Sequence, residues 1–183
     1  MYKKILVPLD GSKQSESALF FSSKLARISN AEITLLRVVE YPFEIYSRCE
    51  PNTFVHPIQP DEKLLAEKDA VCREAENYLK RLASSKELSM SKVSIEIQEC
   101  PVVESILNTV TRLNIDLIIM STIGRDHNPW MMGAITNRVL REAPVPVILI
   151  REESLVPLPD PSRHQEASKK EEAWVRASTL SYS

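Results

Sequence analysis

"KILVPLDGS", residues 4–12, is a short and almost continuously apolar run that ends abruptly in an acidic residue, a glycine and a serine. A strand with one face in water alternates apolar with polar residues, whereas a run without alternation is buried on both faces, as strands of a parallel sheet are. Asp10-Gly11-Ser12 then reads as a turn, and Ser12 is suited to cap a helix that starts behind it. Strand, glycine turn and helix in that order predict the opening of a βαβ unit.

Four further runs have the same character: "ITLLRVV" (33–39), "VSIEI" (93–97), "DLIIM" (116–120) and "VPVILI" (145–150). Between them apolar residues recur at helical spacing. Ala18, Phe21, Leu25 and Ile28 predict one core-facing stripe, Cys72, Ala75, Leu79 and Leu82 a second, and Val103, Ile106, Val110 and Leu113 a third, while Ile135 and Val139 mark a shorter last helix. Fivefold alternation of strand and helix predicts a three-layer α/β/α sandwich around a parallel sheet, because right-handed crossovers lay helices on both faces. Ligands in such sheets bind outside the carboxyl ends of the strands, where strand order reverses. The segments after strands one and four are therefore the candidates, and the chain's three glycines, Gly11, Gly124 and Gly133, all fall there. Either Gly11 turns the chain and Gly133 starts a helix, or the glycines clear the way for a ligand.

Length and composition bound the alternatives. A chain of 183 residues, 43% hydrophobic, can bury one good core, so residues 1–151 are expected to form a single domain. Residues 152–183 are polar and contain Pro157, Pro159 and Pro161, and they read as a tail outside that core. Trp174 and Val175 in that tail either dock on a partner or on the domain, or simply travel with a solvated segment. Residues 40–60, with Pro42, Pro51, Pro57 and Pro60, read as a long surface loop, which with the tail is the candidate surface for a protein partner. A net charge of −2 and a pI near 6.0 argue against nucleic acid and membrane surfaces as partners. Cys49, Cys72 and Cys100 are odd in number and form no Cys-x-x-Cys pair, which suits free thiols in a reducing cytoplasm. No run approaches the roughly 20 apolar residues of a membrane span, so a soluble cytoplasmic protein is expected. An enzyme is the weaker expectation. His56, His127 and His164 are dispersed, no metal motif appears, and neither a Gly-Lys-Ser/Thr phosphate loop nor a Gly-x-Ser-x-Gly elbow is present.

"YKKILVPLDGS", "ITLLRVVE", "CPVVESIL", "DLIIMSTIGR" and "GAITNRVLREAPVPVILIR", in this order over residues 1–151, together resemble the universal stress protein (UspA-like) family. The resemblance implies a five-stranded parallel sheet of order 3-2-1-4-5, a dimer, and a site that takes ATP in some members and no nucleotide in others. Nucleotide-binding members carry Gly-x-x-Gly, nine residues, then Gly followed by Ser or Thr; backbone N–H groups and a helix N-terminus there cradle phosphates. This chain keeps Gly124 and Gly133 but has Ser121 for the first glycine, eight residues (125–132) instead of nine, and Ala134 where the hydroxyl stands. Ala134 forfeits a hydrogen bond of about 1 kcal/mol, while the missing residue redirects several backbone donors together. Asp126 adds a negative charge beside Arg125 and His127, and Pro129 removes one N–H.

By the same resemblance Pro8, Leu9 and Asp10 stand at the turn that holds the ribose and adenine side, and Val38 stands where the strand-two backbone meets adenine. With Met120, Ser121, Gly124, Arg125, Gly133, Ala134 and Ile135 they make up the implied nucleotide-contacting set, for ATP or AMP, with Mg²⁺ only where ATP is bound. Asp10 either accepts from a ribose hydroxyl or buttresses the first helix cap with Ser12. Two functions are consistent with these residues: a dimeric interaction module of the stress response whose nucleotide loop is degenerate, and a nucleotide-sensing regulatory domain. A homodimer through strand 145–150 is expected, because Pro146 suits a sheet edge and an apolar edge invites pairing about a two-fold axis.

Overall fold

The structure, a computed structural model, describes residues 1–40, 62–122 and 132–151. Its elements are β1 (Lys4–Leu9), α1 (Lys13–Ser29), β2 (Glu32–Val39), α2 (Glu62–Ala83), β3 (Lys92–Glu99), α3 (Val102–Leu113), β4 (Leu117–Ser121), α4 (Ala134–Glu142) and β5 (Val147–Ile150), all within the unit Met1–Glu152. Every strand pair is parallel and the order is β3-β2-β1-β4-β5, the predicted topology. Gly124, Arg125, Asp126, His127, Pro129, the 41–60 segment and residues 152–183 lie outside the described residues.

The unbroken apolar runs are explained by a core on each side of the sheet. Ile5, Val7, Ile33 and Leu35 pack with Leu19 of α1 and Leu79 of α2, while Leu6, Leu36, Val38, Ile118 and Met120 pack with Ile106 and Val110 of α3 and Val139 of α4. Successive strand residues face opposite sides, so a strand covered twice needs apolar residues at every position.

The predicted α1 stripe is corrected by the structure. Phe21 remains 37% exposed and Ile28 75% exposed, and the buried face is Ser15, Ala18, Leu19, Ser22, Ser23 and Ala26. Small side chains let the helix sit close to the sheet. The serine hydroxyls go inside at little cost because each bonds back to the helix: Ser22 Oγ donates to the Ala18 carbonyl at 2.7 Å and Ser23 Oγ to that of Phe20 at 2.9 Å. Ile135 likewise stands 40% exposed, whereas Val139 is fully buried as expected.

Pairing along the sheet is uneven. β1 is registered with β2 over six pairs, from Lys4–Glu32 to Leu9–Arg37, but with β4 over only two, Ile5–Leu117 and Leu6–Ile118. Asp116, predicted as the first residue of strand four, instead precedes it and secures the amino end of β1, its carboxylate accepting from the N–H groups of Lys3 (2.7 Å) and Lys4 (3.2 Å). β1 and β4 are thus tied at their amino ends and run on past their shared ladder at their carboxyl ends, at the point where strand order reverses.

Candidate functional site

A cavity of about 320 Å³ opens at those carboxyl ends. Nine of the eleven candidate residues line it: Pro8, Leu9, Asp10, Val38, Met120, Ser121, Gly133, Ala134 and Ile135; Gly124 and Arg125 are outside the described residues. Seven lining residues escaped the sequence reading, namely Ser15, Leu36, Arg37, Glu40, Val102, Ile106 and Thr136. Among these Arg37 carried a visible signal, a charge inside the apolar run Leu35–Val39. Leu36 and Ile106 lie inside a strand and a helix, and Val102 and Thr136 in the first turns of α3 and α4, where core packing gives a pattern no different from a cavity wall.

The β1 side is built from a short run of interlocked groups. Asp10 Oδ1 accepts from the Ser12 N–H (2.9 Å) and hydroxyl (2.5 Å), and Ser12 Oγ in turn accepts from the Ser15 N–H (3.1 Å), which caps α1. Ser15 Oγ donates to the Ser12 carbonyl at 2.8 Å and accepts from the Asp10 N–H at 3.4 Å. The capping role considered for Asp10 is therefore present, and its carboxylate also lines the cavity. Gly11 has φ of +88°, a conformation side chains rarely adopt, so this glycine is needed for the turn itself.

On the β4 side, α4 starts at Gly133, whose N–H donates to the Thr122 carbonyl at 3.1 Å. Thr136, 5% exposed, donates its hydroxyl to the Ser121 carbonyl at 3.2 Å and so fastens the first turn of the helix to the end of β4. Gly133 has an ordinary φ of −56°, and a Cβ there would meet nothing closer than 3.6 Å. Its lack of a side chain is not required by the backbone and leaves space beside the cavity. The first N–H groups of an α-helix have no partner within the helix and carry partial positive charge, and the first turn of α4 has no acidic residue to offset it. The cavity lining thus carries Asp10, Arg37 and Glu40 on the β1 and β2 side and a helix N-terminus on the β4 side.

Two groups outside the cavity lining, Tyr78 and Glu104, have displaced pKa values. The Tyr78 hydroxyl on α2 is buried beside Ser15 and Glu16 without meeting hydrogen-bonding geometry, and burial first, then the Glu16 carboxylate, pushes its pKa up. Glu104 on α3 pairs with Arg138 on α4 at 2.6 Å, and Arg138 also reaches Glu142 at 2.8 Å. A hydrogen bond from its own backbone, then the one from Arg138, hold the Glu104 carboxyl below the usual range. No group of three or more His, Cys, Asp or Glu among the described residues could hold a metal ion, and no helix there is long and apolar enough to cross a membrane.

Comparison with known proteins matches the whole folded region. The model of the universal stress protein family covers residues 1–151. Universal stress protein MJ0531 of Methanocaldococcus jannaschii is 26% identical over 153 residues, which span 82% of this chain and 83% of that protein. The solved structure of hypothetical protein MJ0577 superposes with a TM-score of 0.67 at 27% identity, over 83% of this chain and 97% of that one. An Arabidopsis thaliana protein of the same family, crystallised with AMP bound, shares the fold at 15% identity with a TM-score of 0.56, over 85% of this chain and 96% of that one.

Proposed function

The chain belongs to the universal stress protein family, and from that footing we propose that residues 1–151 form a non-enzymatic regulatory domain of the stress response whose nucleotide-binding loop is degenerate. It works in the cytoplasm as a dimeric interaction module, with the 40–60 loop or the 152–183 tail as the surface for a protein partner. The observation that carries this reading is the contrast inside the cavity. The Asp10 side is fully assembled, whereas α4 begins with Gly133-Ala134, with no side-chain cap and no hydroxyl at the residue after the glycine.

A second reading, nucleotide sensing, is favoured by the cavity itself: it stands open where a nucleoside phosphate would lie with its anionic end at α4 and its hydroxyls toward Asp10. The same fold holds AMP in the Arabidopsis relative. Mg²⁺ would enter only with a bound triphosphate. Calorimetric titration of ATP and AMP into the full chain separates the two readings. Weak or absent ATP binding is expected, and the combined change Ser121→Gly, one residue inserted between Arg125 and Met132, and Ala134→Ser should raise affinity by more than the single changes suggest, because contacts on one ligand are coupled. Tight ATP binding by the unaltered protein overturns the degenerate-loop reading. AMP binding without ATP supports an intact nucleoside side with an altered phosphate end.

The dimer is proposed through β5. It is an edge strand, Pro146 precedes it, and Ile148 on it is 37% exposed while Leu140 of the neighbouring α4 is 44% exposed. Pairing a second copy along that edge satisfies its backbone groups and covers these side chains. Light scattering showing a monomer at tens of micromolar overturns this part.

A further inference from the structure

We propose that Arg37 is a positioning residue for the nucleoside end of the cavity, holding the Leu9–Gly11 turn so that the Asp10 carboxylate stands where a ligand hydroxyl meets it. The proposal rests on the nucleotide reading of the cavity and adds a residue to it.

Arg37 is out of character for its surroundings. Alternation along β2 puts Arg37 on the face of Leu35 and Val39, which are 0% and 2% exposed, and placing a guanidinium beside such residues is unfavourable unless it is hydrogen-bonded. The last rung of the β1–β2 ladder pairs Leu9 with Arg37, and the side chain folds over the end of the neighbouring strand, where Nη1 donates to the Leu9 carbonyl at 3.2 Å. The rest of the guanidinium lies over the next turn: Nη2 and Cζ are 3.5 and 3.7 Å from the place a Cβ on Gly11 would occupy. Gly11 permits the positive φ of the turn, and the flat guanidinium packs beside it at ordinary van der Waals distance.

Asp10 lies between the two residues that Arg37 touches. Leu9 is held through its carbonyl, Gly11 by packing, and Asp10 itself through Oδ1 by Ser12. With the flanking residues fixed, the carboxylate keeps one position, and a ligand that meets it does not have to order the turn first.

The test compares adenosine with AMP. Both are titrated calorimetrically into the full chain and into Arg37→Met and Arg37→Lys, and hydrogen exchange is followed at the Ser12 amide, which bonds to Asp10. If Arg37 positions the turn, Arg37→Met weakens adenosine and AMP alike by about tenfold, close to the effect of one charge-assisted hydrogen bond. Exchange at Ser12 accelerates in the same variant. Arg37→Lys recovers only part of both effects, because a single ammonium does not lie flat over Gly11. Should Arg37→Met fail to fold, Arg37→Lys carries the same comparison. Loss of AMP with adenosine unchanged overturns the proposal in favour of direct phosphate contact. Unchanged affinity for both ligands with unchanged exchange also overturns it, leaving Arg37 a bystander. Should the unaltered chain bind neither adenosine nor AMP, the nucleotide reading falls by itself, and equal Ser12 exchange in the unaltered chain and Arg37→Met would overturn the positioning claim independently.

Discussion

On the β1 side of the cavity every residue of the turn is fixed by its neighbours: Leu9 by Arg37, Asp10 by Ser12, Ser12 by Ser15, with Gly11 in a backbone conformation only glycine adopts readily. On the α4 side two hydrogen bonds, Gly133 to Thr122 and Thr136 to Ser121, fasten a helix that has no side-chain cap and starts at a glycine of ordinary conformation. The first wall is determined by a tight turn and by one contact from the neighbouring strand, and a change in it should be felt by the whole fold. The second has fewer bonds at its rim, and changes there should alter ligand binding before they alter stability.

Paired glycine substitutions test that contrast most severely. Gly11→Ala forces a side chain into the positive-φ region and should lower unfolding free energy by about 1–3 kcal/mol. Gly133→Ala should cost less than about 0.5 kcal/mol while narrowing the cavity. Urea unfolding of the two variants gives the comparison directly, and equal losses would erase the distinction between the two walls. Next in size, Ser12→Ala removes a helix cap together with a partner of Asp10 and should cost about 1–2 kcal/mol. Thr136→Val removes one buried hydroxyl that bonds a carbonyl, and about 1 kcal/mol is expected. A larger loss for Thr136→Val than for Ser12→Ala would mean that α4 is the better-determined wall.

Smaller effects concern the periphery. Truncation after Arg151 should change stability by less than about 1 kcal/mol, since the polar, proline-containing segment has little apolar area to bury. Thermal unfolding with and without residues 152–183 checks it. The smallest effect should come from the Glu104–Arg138 pair between α3 and α4. A carboxylate with a depressed folded pKa contributes stability above its unfolded pKa and loses it as pH falls through the folded value, so this contribution should fade on the acid side, below about pH 4. The pair is substantially exposed, so the change should be slight and diminish with added salt. Comparing unfolding midpoints of the unaltered protein and Glu104→Gln at neutral and acidic pH isolates it.

The sheet was legible because burial on both faces leaves an unbroken apolar run that few other environments produce, as in "KILVPL" and "DLIIM". Helix phase was harder. In α1 the search for large apolar residues selected Phe21 and Ile28, while the sheet took Ser15, Ser22 and Ser23, whose hydroxyls satisfy themselves within the helix and so behave as small core residues. In the cavity, topology draws attention to the segments after strands one and four, which hold Asp10 and Gly133, whereas Ser121, the last residue of β4, is implied only by the family resemblance. Thr136 and Val102 were not legible, because a residue that lines a cavity from a helix keeps the periodicity of one that lines the core. Arg37 was legible in principle: a charge amid the apolar run Leu35–Val39 raises the question of what it reaches, and only the fold answers with the Leu9 carbonyl.

The two-rung ladder between β1 and β4 bears on how such a domain changes its task over generations. The crevice opens where two backbones tied together by Asp116 at one end run past their ladder at the other. Such a hollow is inherited with the chain's topology. A lineage that loses its grip on triphosphates through a shortened loop keeps the empty room, and new occupants can be selected by altering a few rim residues without rebuilding either core.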